Sequence, residues 1–113
     1  MARTNPPFMT GVPELLLLRL LSQRAMYGYE LVRQIQLATG EAIRLGEGVI
    51  YPSLYALEKS GALKAVRRKV GARERIYYST TAKGRKRLTQ LEADWVRIRD
   101  AIALSGEISI DSA

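Results

Sequence analysis

A chain of 113 residues with neither cysteine nor histidine is long enough for one hydrophobic core. It lacks the side chains of disulfides, of thiolate and imidazole metal sites, and of Ser/His or Cys/His catalysis. Its net charge of +7 is unevenly laid down: residues 1–62 carry six basic and five acidic side chains, residues 63–87 ten and one, and residues 88–113 two and five. One block with more positive charge than the whole chain points to a polyanionic partner, nucleic acid first and an anionic membrane surface second.

The opening MARTNPPFMTG is read as a loose arm over residues 1–12, without the basic and apolar regions of a leader. Pro13 and Glu14 suit the first turn of a helix, where a missing N–H costs little and an acid meets the positive end of the helix dipole. The LLLLRLLS that follows has leucine on nearly every side, so this helix is expected to be enclosed. Arg19 interrupts its apolar run, which is far short of the roughly 20 residues a membrane span needs. The expectation is a cytoplasmic protein that does not engage a membrane.

A second helix is predicted to begin around Met26, Tyr27 and Gly28 and to run to Gly40, with Leu31, Val32, Ile35 and Ala38 at helical spacing. AIRL, residues 42–45, lies between two glycines, is too short for a helix and is read as a brief strand. In the third helix Ile50, Leu54 and Leu57 share one face, while Tyr51, Tyr55 and Lys59 share another that points outward. Pro52 lacks an N–H and clashes with the carbonyl four residues back. The regular helix is therefore predicted to start at Gly48 or Val49, with Pro52 in its first turn. Gly61 stops it.

Beyond Gly61 the period shortens. LKAVRRKVGARERIYYS reads as a β-hairpin with arms of about seven and five residues and a loop at residues 70–74. Six of the twelve residues 64–75 are basic. Thr81 caps a fourth helix in which Leu88, Leu91, Trp95, Ile98 and Ile102 step alternately by three and four, an a/d seam. Lys83, Arg85, Lys86 and Arg87 oppose the dipole at the start of that helix, a cost that an anionic partner nearby would offset. The small, polar residues 105–113 read as a fraying tail.

This order of elements is that of an α+β winged helix-turn-helix: residues 13–80 form a DNA-binding domain and residues 81–104 an additional C-terminal dimerisation helix. In such a fold the third helix enters the DNA major groove, and the hairpin, or wing, follows the backbone or the minor groove.

In these residues the chain resembles the PadR-like transcriptional regulators. The resemblance is carried by Gly28-Tyr29-Glu30-Leu31; by Gly48, Ile50-Tyr51-Pro52, Leu54, Leu57-Glu58 and Gly61; and by Tyr77-Tyr78, Thr81 and Gly84. It spans residues 13–102, and the single helix after the wing resembles the smaller branch of that family, whose members are dimers joined mainly through that helix and the first one. The resemblance implies that Tyr51 lies at the DNA face. Family members often carry proline before and threonine after the glycine matching Gly48, where this chain has Glu47 and Val49. An acid beside DNA is unfavourable unless it accepts from a cytosine amino group, which leaves operator preference open at these positions.

The expected DNA contacts are Tyr29, Gly48, Val49, Tyr51, Tyr55 and Lys59 from the helices and Lys64, Arg67, Lys69, Arg73 and Arg75 from the wing. Two readings stand for Tyr51 and Tyr55, a half-buried pair that stiffens the helix and a docking face whose phenols bond phosphate; the outward position favours the second. The wing cations, with Arg68 among them, either solubilise the hairpin or contact phosphate, and their density favours contact. The seam of the fourth helix either packs within its own chain or pairs across a two-fold axis, and the shortness of the domain favours the second. Leu15, Leu88, Leu91, Trp95, Ile98 and Ile102 are then expected at a homodimer interface, and the expected partner is double-stranded DNA with a near-palindromic operator. Trp95 is either an aromatic core residue or, with Leu91, Ile98 and Leu18, part of a pocket for a planar aromatic effector; several PadR-like regulators respond to such compounds.

An enzyme is the least favoured class. The carboxylates of Glu14, Glu30, Glu41, Glu58, Glu92 and Asp94 show no paired arrangement, Ser53 has no base, and Gly46 and Gly48 are not followed by a Gly-Lys-Ser/Thr phosphate cradle. No cofactor or metal is expected. The rival is a winged helix put to another use, sequence-neutral nucleic-acid binding or protein interaction.

Overall fold

A short helix with leucine on nearly every side has little surface to offer water. The computed structural model, which describes residues 6–106, encloses it accordingly. After a single 3₁₀ turn at Pro7–Met9, helix α1 (Val12–Leu21) buries Leu17, Leu18, Leu20 and Leu21 at the centre of the core. Most of the expected arm therefore lies outside the described residues or immediately precedes this helix, and residues 107–113 of the expected tail also lie outside them.

Met26 and Tyr27 do not begin a helix. They form a two-residue strand β1 (Met26–Tyr27), and helix α2 (Gly28–Ala38) starts directly after it. The strand pays its way by alternation: Met26 is buried in the core, while Tyr27 lies half-buried on the opposite face. Helix α2 ends with Gly40 in the left-handed region at φ +59°, and the N–H of Glu41 donates to the Gln36 carbonyl at 2.7 Å. Residues 42–45, expected as a strand, are an irregular connection. They pair with no strand among the described residues, and the segment is held instead by the buried Leu45 and by Ile43, whose N–H donates to Thr39 Oγ1 at 3.1 Å.

Helix α3 (Glu47–Lys59) starts before the predicted point, so Pro52 falls in its second turn and leaves the Gly48 carbonyl without its helical donor. Ile50, Leu54 and Leu57 are buried as expected. The helix stops at Gly61, φ +85°, where the Ala62 N–H donates to the Leu57 carbonyl at 2.9 Å.

Strands β2 (Leu63–Val70) and β3 (Arg73–Thr80) are antiparallel and complete a three-stranded sheet in the order β1-β3-β2. The expected five-residue loop contracts to Gly71-Ala72, because Val70 pairs with Arg73. Gly71 at φ +64°, followed by an alanine without positive φ, has the sign pattern of a type II′ turn, whose twist matches the strands. Leu63, Ala65, Tyr78 and Thr80 face the helices.

Helix α4 (Ala82–Leu104) is capped as expected: Thr81 Oγ1 accepts from the Gly84 N–H at 3.1 Å and donates to the Gly61 carbonyl at 2.6 Å. Its first half is tied to α1. Arg87 donates twice to Glu14, at 2.7 and 3.1 Å, and Arg19 donates to Glu92 at 2.9 Å. Beyond Leu91 the helix runs out past the core, and the described chain measures 55 × 37 × 25 Å.

Candidate nucleic-acid interface

The outward face of α3 is built around a glycine on another helix. Tyr51 is half-buried because its ring lies across Gly28 at the start of α2; a β-carbon there would stand 2.5 Å from the ring. Tyr55, one turn on, is exposed, and the two rings lie 6.2 Å apart between centroids, tilted by 40°. Burial, then Glu47, then Tyr55 push the Tyr51 phenol above its usual value of 10.0, so at neutral pH it is a proton donor suited to a phosphate oxygen. Tyr29, Gly48, Val49 and Lys59 are exposed, with Gly48 and Val49 in the first turn of α3 and Lys59 in its last. Glu47 is the first residue of that helix, where a carboxylate meets the positive end of the dipole.

Between α3 and β3 lies a cleft of about 270 Å³, walled by Tyr27, Gly28, Tyr51, Tyr55 and Arg75 among others. The structure therefore brings Tyr51, Tyr55 and Arg75 together. On the wing, Lys64, Lys69 and Arg73 are exposed and have no hydrogen-bonded or ionic partner among the described residues. Arg67 differs, because its guanidinium donates to Glu74 at 2.8 Å and its charge is locally matched. Arg75 lies over the Tyr27 ring, 4.4 Å from its centroid. Arg68, counted from sequence only as one of the wing cations, lies over Tyr77 at 4.8 Å, and sequence reasoning missed both tyrosines beneath the arginines. The only signal for them is strand register, which three separate segments define jointly.

Three of the four cations opening α4 find acceptors within the chain. Lys83 Nζ donates to the Ser60 carbonyl at 2.6 Å, Arg85 to the Thr80 carbonyl at 3.5 Å, and Arg87 to Glu14, whose carboxylate raises the guanidinium pKa. Lys86 alone of the four makes no such bond among the described residues.

The effector and dimer residues separate into two groups. Leu18 is wholly enclosed in the core, so it has no surface for a ligand; on an all-leucine helix the sequence does not show which side faces inward. Leu88 is buried and Leu15 and Leu91 pack partly against the core. Trp95, Ile98 and Ile102 are 50, 44 and 48% exposed. Trp95 also walls a groove of about 530 Å³ together with Phe8, Met9, Leu15, Leu16 and Ile35. Among the described residues there is no grouping of three or more acidic side chains able to hold a metal ion, and no helix long and apolar enough to cross a membrane.

A helix-turn-helix core, an exposed third helix and a basic two-stranded wing define a winged-helix DNA-binding protein. Residues 17–90 match the profile of the transcriptional regulator PadR-like family. The chain belongs to that family and is a DNA-binding transcriptional regulator. Solved structures agree. A transcriptional regulator from Clostridium thermocellum is 27% identical and superposes with a TM-score of 0.82 over 89% of this chain and 96% of its own. A PadR family transcriptional regulator from Eggerthella lenta is 28% identical, with a TM-score of 0.78 over 90% of this chain and 88% of its own. The smu.1704 protein of Streptococcus mutans is 30% identical, with a TM-score of 0.77 over 96% of this chain and all of its own.

Proposed function

We propose that the chain acts as a homodimeric, sequence-specific repressor that reads a near-palindromic operator through α3 and grips the flanking backbone with its wing. The observation that carries this reading is the placing of the exposed Tyr55 and the half-buried Tyr51 beside Arg75 in one cleft, at the base of a wing whose Lys64, Lys69 and Arg73 side chains have no partner among the described residues. Phenols and cations at the mouth of a recognition helix suit phosphate and sugar, which fix register, while Gly48 and Val49 at the head of α3 are free to approach base edges. A protein-contact surface has no need of this charge.

The apolar seam of α4 supports the dimer. Trp95, Ile98 and Ile102 stand exposed at the spacing of an a/d pair, the arrangement that a second copy would cover. The groove beside Trp95 supports a ligand-responsive role, its apolar walls and indole face fitting a flat aromatic compound. Such a compound releases DNA only by binding the non-operator geometry more tightly, about 1.4 kcal/mol for each tenfold effect.

Selection of the purified protein against random duplexes tests the reading. The expected outcome is an enriched palindrome with half-sites about 10 to 11 base pairs apart, whose placement before a reporter lowers expression. Salt-sensitive binding with no enriched motif would make the protein sequence-neutral instead, and a raised reporter would make it an activator.

A further inference from the structure

The face of the sheet turned away from the helices is left unused by the fold. Lys64, Val66 and Arg68 on β2 share it with Arg73, Arg75, Tyr77 and Ser79 on β3, and Tyr27 of β1 pairs beside Tyr77. Arg68 and Arg75 are directly opposed across the hairpin, and neither has a carboxylate partner among the described residues. Opposed like charges destabilise a strand pair. The free hairpin therefore carries a cost that an anion between or above the two guanidinium groups would remove.

These arginines do not extend freely into water. Arg68 rests on Tyr77 and Arg75 on Tyr27, with the ring centroids 4.8 and 4.4 Å from the guanidinium carbons. The two rings meet edge to face, 5.5 Å apart at 67°. Arg68, Tyr77, Tyr27 and Arg75 thus form one interlocked row. A guanidinium resting over a ring keeps N–H donors for an anion, and a side chain already held in place loses less freedom when it binds. At one end the row joins the α3 face, since Tyr27 and Arg75 also wall the cleft beside Tyr51 and Tyr55.

We propose that this row is a phosphate-binding surface for the same duplex that α3 engages. Arg68 and Arg75 make the contacts, and Tyr27 and Tyr77 are positioning residues that hold them. The inference rests on the DNA-binding reading above and extends it to Tyr27 and Tyr77, two side chains outside the expected contact set, which fix how Arg68 and Arg75 are presented. Charge complementarity selects duplex backbone as the occupant, because the face has cations, no unmatched acid, and rings already covered by arginine and so unavailable to unstacked bases.

The test is fluorescence anisotropy of the full-length protein on a selected operator across a salt series, with wild type measured first. Arg68→Gln and Arg75→Gln are expected each to flatten the slope of log K against log salt by about 1.8 for a dimer, about 0.9 per contact. Tyr27→Leu and Tyr77→Leu are expected to weaken binding roughly five- to thirtyfold for a dimer while leaving the slope unchanged, since they remove a platform and no charge. Tyr27→Phe and Tyr77→Phe, which keep the ring, are expected to bind as wild type. In the free protein the Nε–H resonances of Arg68 and Arg75 are expected upfield, and to lose that shift in the leucine variants. Unchanged slopes for both glutamine variants would overturn the proposal, as would phenylalanine variants as weak as the leucine ones, or a single strand bound more tightly than duplex. The glutamine variants leave both rings in place and decide the matter even where a leucine variant fails to fold. Failure of the wild type to bind any duplex is a separate result, which sinks the DNA-binding reading and this inference together.

Discussion

A methyl group at position 28 would stand 2.5 Å from the Tyr51 ring, and the far end of that side chain, rather than any backbone, is what would give way. Gly28→Ala is therefore expected to keep the fold, at a cost of about 1 kcal/mol, and to weaken operator binding about tenfold by displacing the Tyr51 phenol. Parallel melting curves and binding isotherms separate the two effects. Thr80 poses the opposite case. Its hydroxyl is buried with no hydrogen-bond partner among the described residues, so Thr80→Val should raise stability by about 1 kcal/mol in urea titrations. A loss of stability would mean that the hydroxyl is satisfied after all. Two phenols set the alkaline limit. Burial is the main cause that raises both Tyr51 and Tyr78 above 10.0. Below that value both states keep the proton. As pH climbs past it the unfolded chain loses protons that the folded chain retains, so this contribution to stability drains away through the raised values. Urea midpoints taken from pH 9 upward should fall beyond pH 10, and less steeply in Tyr78→Phe.

At the level of elements, α3 and α4 are locked to one another by backbone. The Lys83 ammonium and the Thr81 hydroxyl bond the Ser60 and Gly61 carbonyls just past the end of α3, and a β-carbon on Gly84 would strike the Ala62 carbonyl. Alanine is the better helix former by about 1 kcal/mol, yet Gly84→Ala should destabilise by about 2–3 kcal/mol because a backbone has to move. A melting temperature at or above wild type would show that the two helices are not held so tightly. Elements whose cause is local were legible in advance. The leucine-rich α1, the Ile50-Leu54-Leu57 face and the Thr81 cap each follow from spacing within one segment. What escaped reading depends on segments far apart in the chain. Two residues, Met26 and Tyr27, are too few to show alternation and become a strand only because β3 offers an edge. Ile43 in AIRL has strand propensity but pairs with no strand of the sheet. In the site, Tyr51 and Tyr55 could be found from their spacing of four. The neutralising of Arg67 by Glu74 and the stacking of Arg68 and Arg75 appear only once Val70 is set against Arg73 and the register of the whole wing is fixed.

Taken as a whole, the molecule divides its apolar residues between two tasks, and the division makes its assembly testable without unfolding it. Leu88 and Leu91 attach α4 to the core, with Arg87 and Arg19 bridging to Glu14 and Glu92, whereas Trp95, Ile98 and Ile102 beyond them are left about half exposed. A charge placed in the second group should break a dimer and spare the domain. Ile98→Lys is accordingly expected to sediment as a monomer with a melting curve that no longer depends on protein concentration. The consequence for DNA is arithmetical. With roughly four phosphates neutralised per protomer, the dimer should show a salt slope of about −7 and the monomer about −4. Loss of the second half-site should in addition weaken operator binding more than binding to a single half-site, because two linked contacts raise the effective concentration of each other. If Ile98→Lys still sediments as wild type and keeps the full slope, the exposed seam is not the dimer interface. If it becomes a monomer yet keeps the full slope, the contacts belong to one protomer and the operator need not be a palindrome.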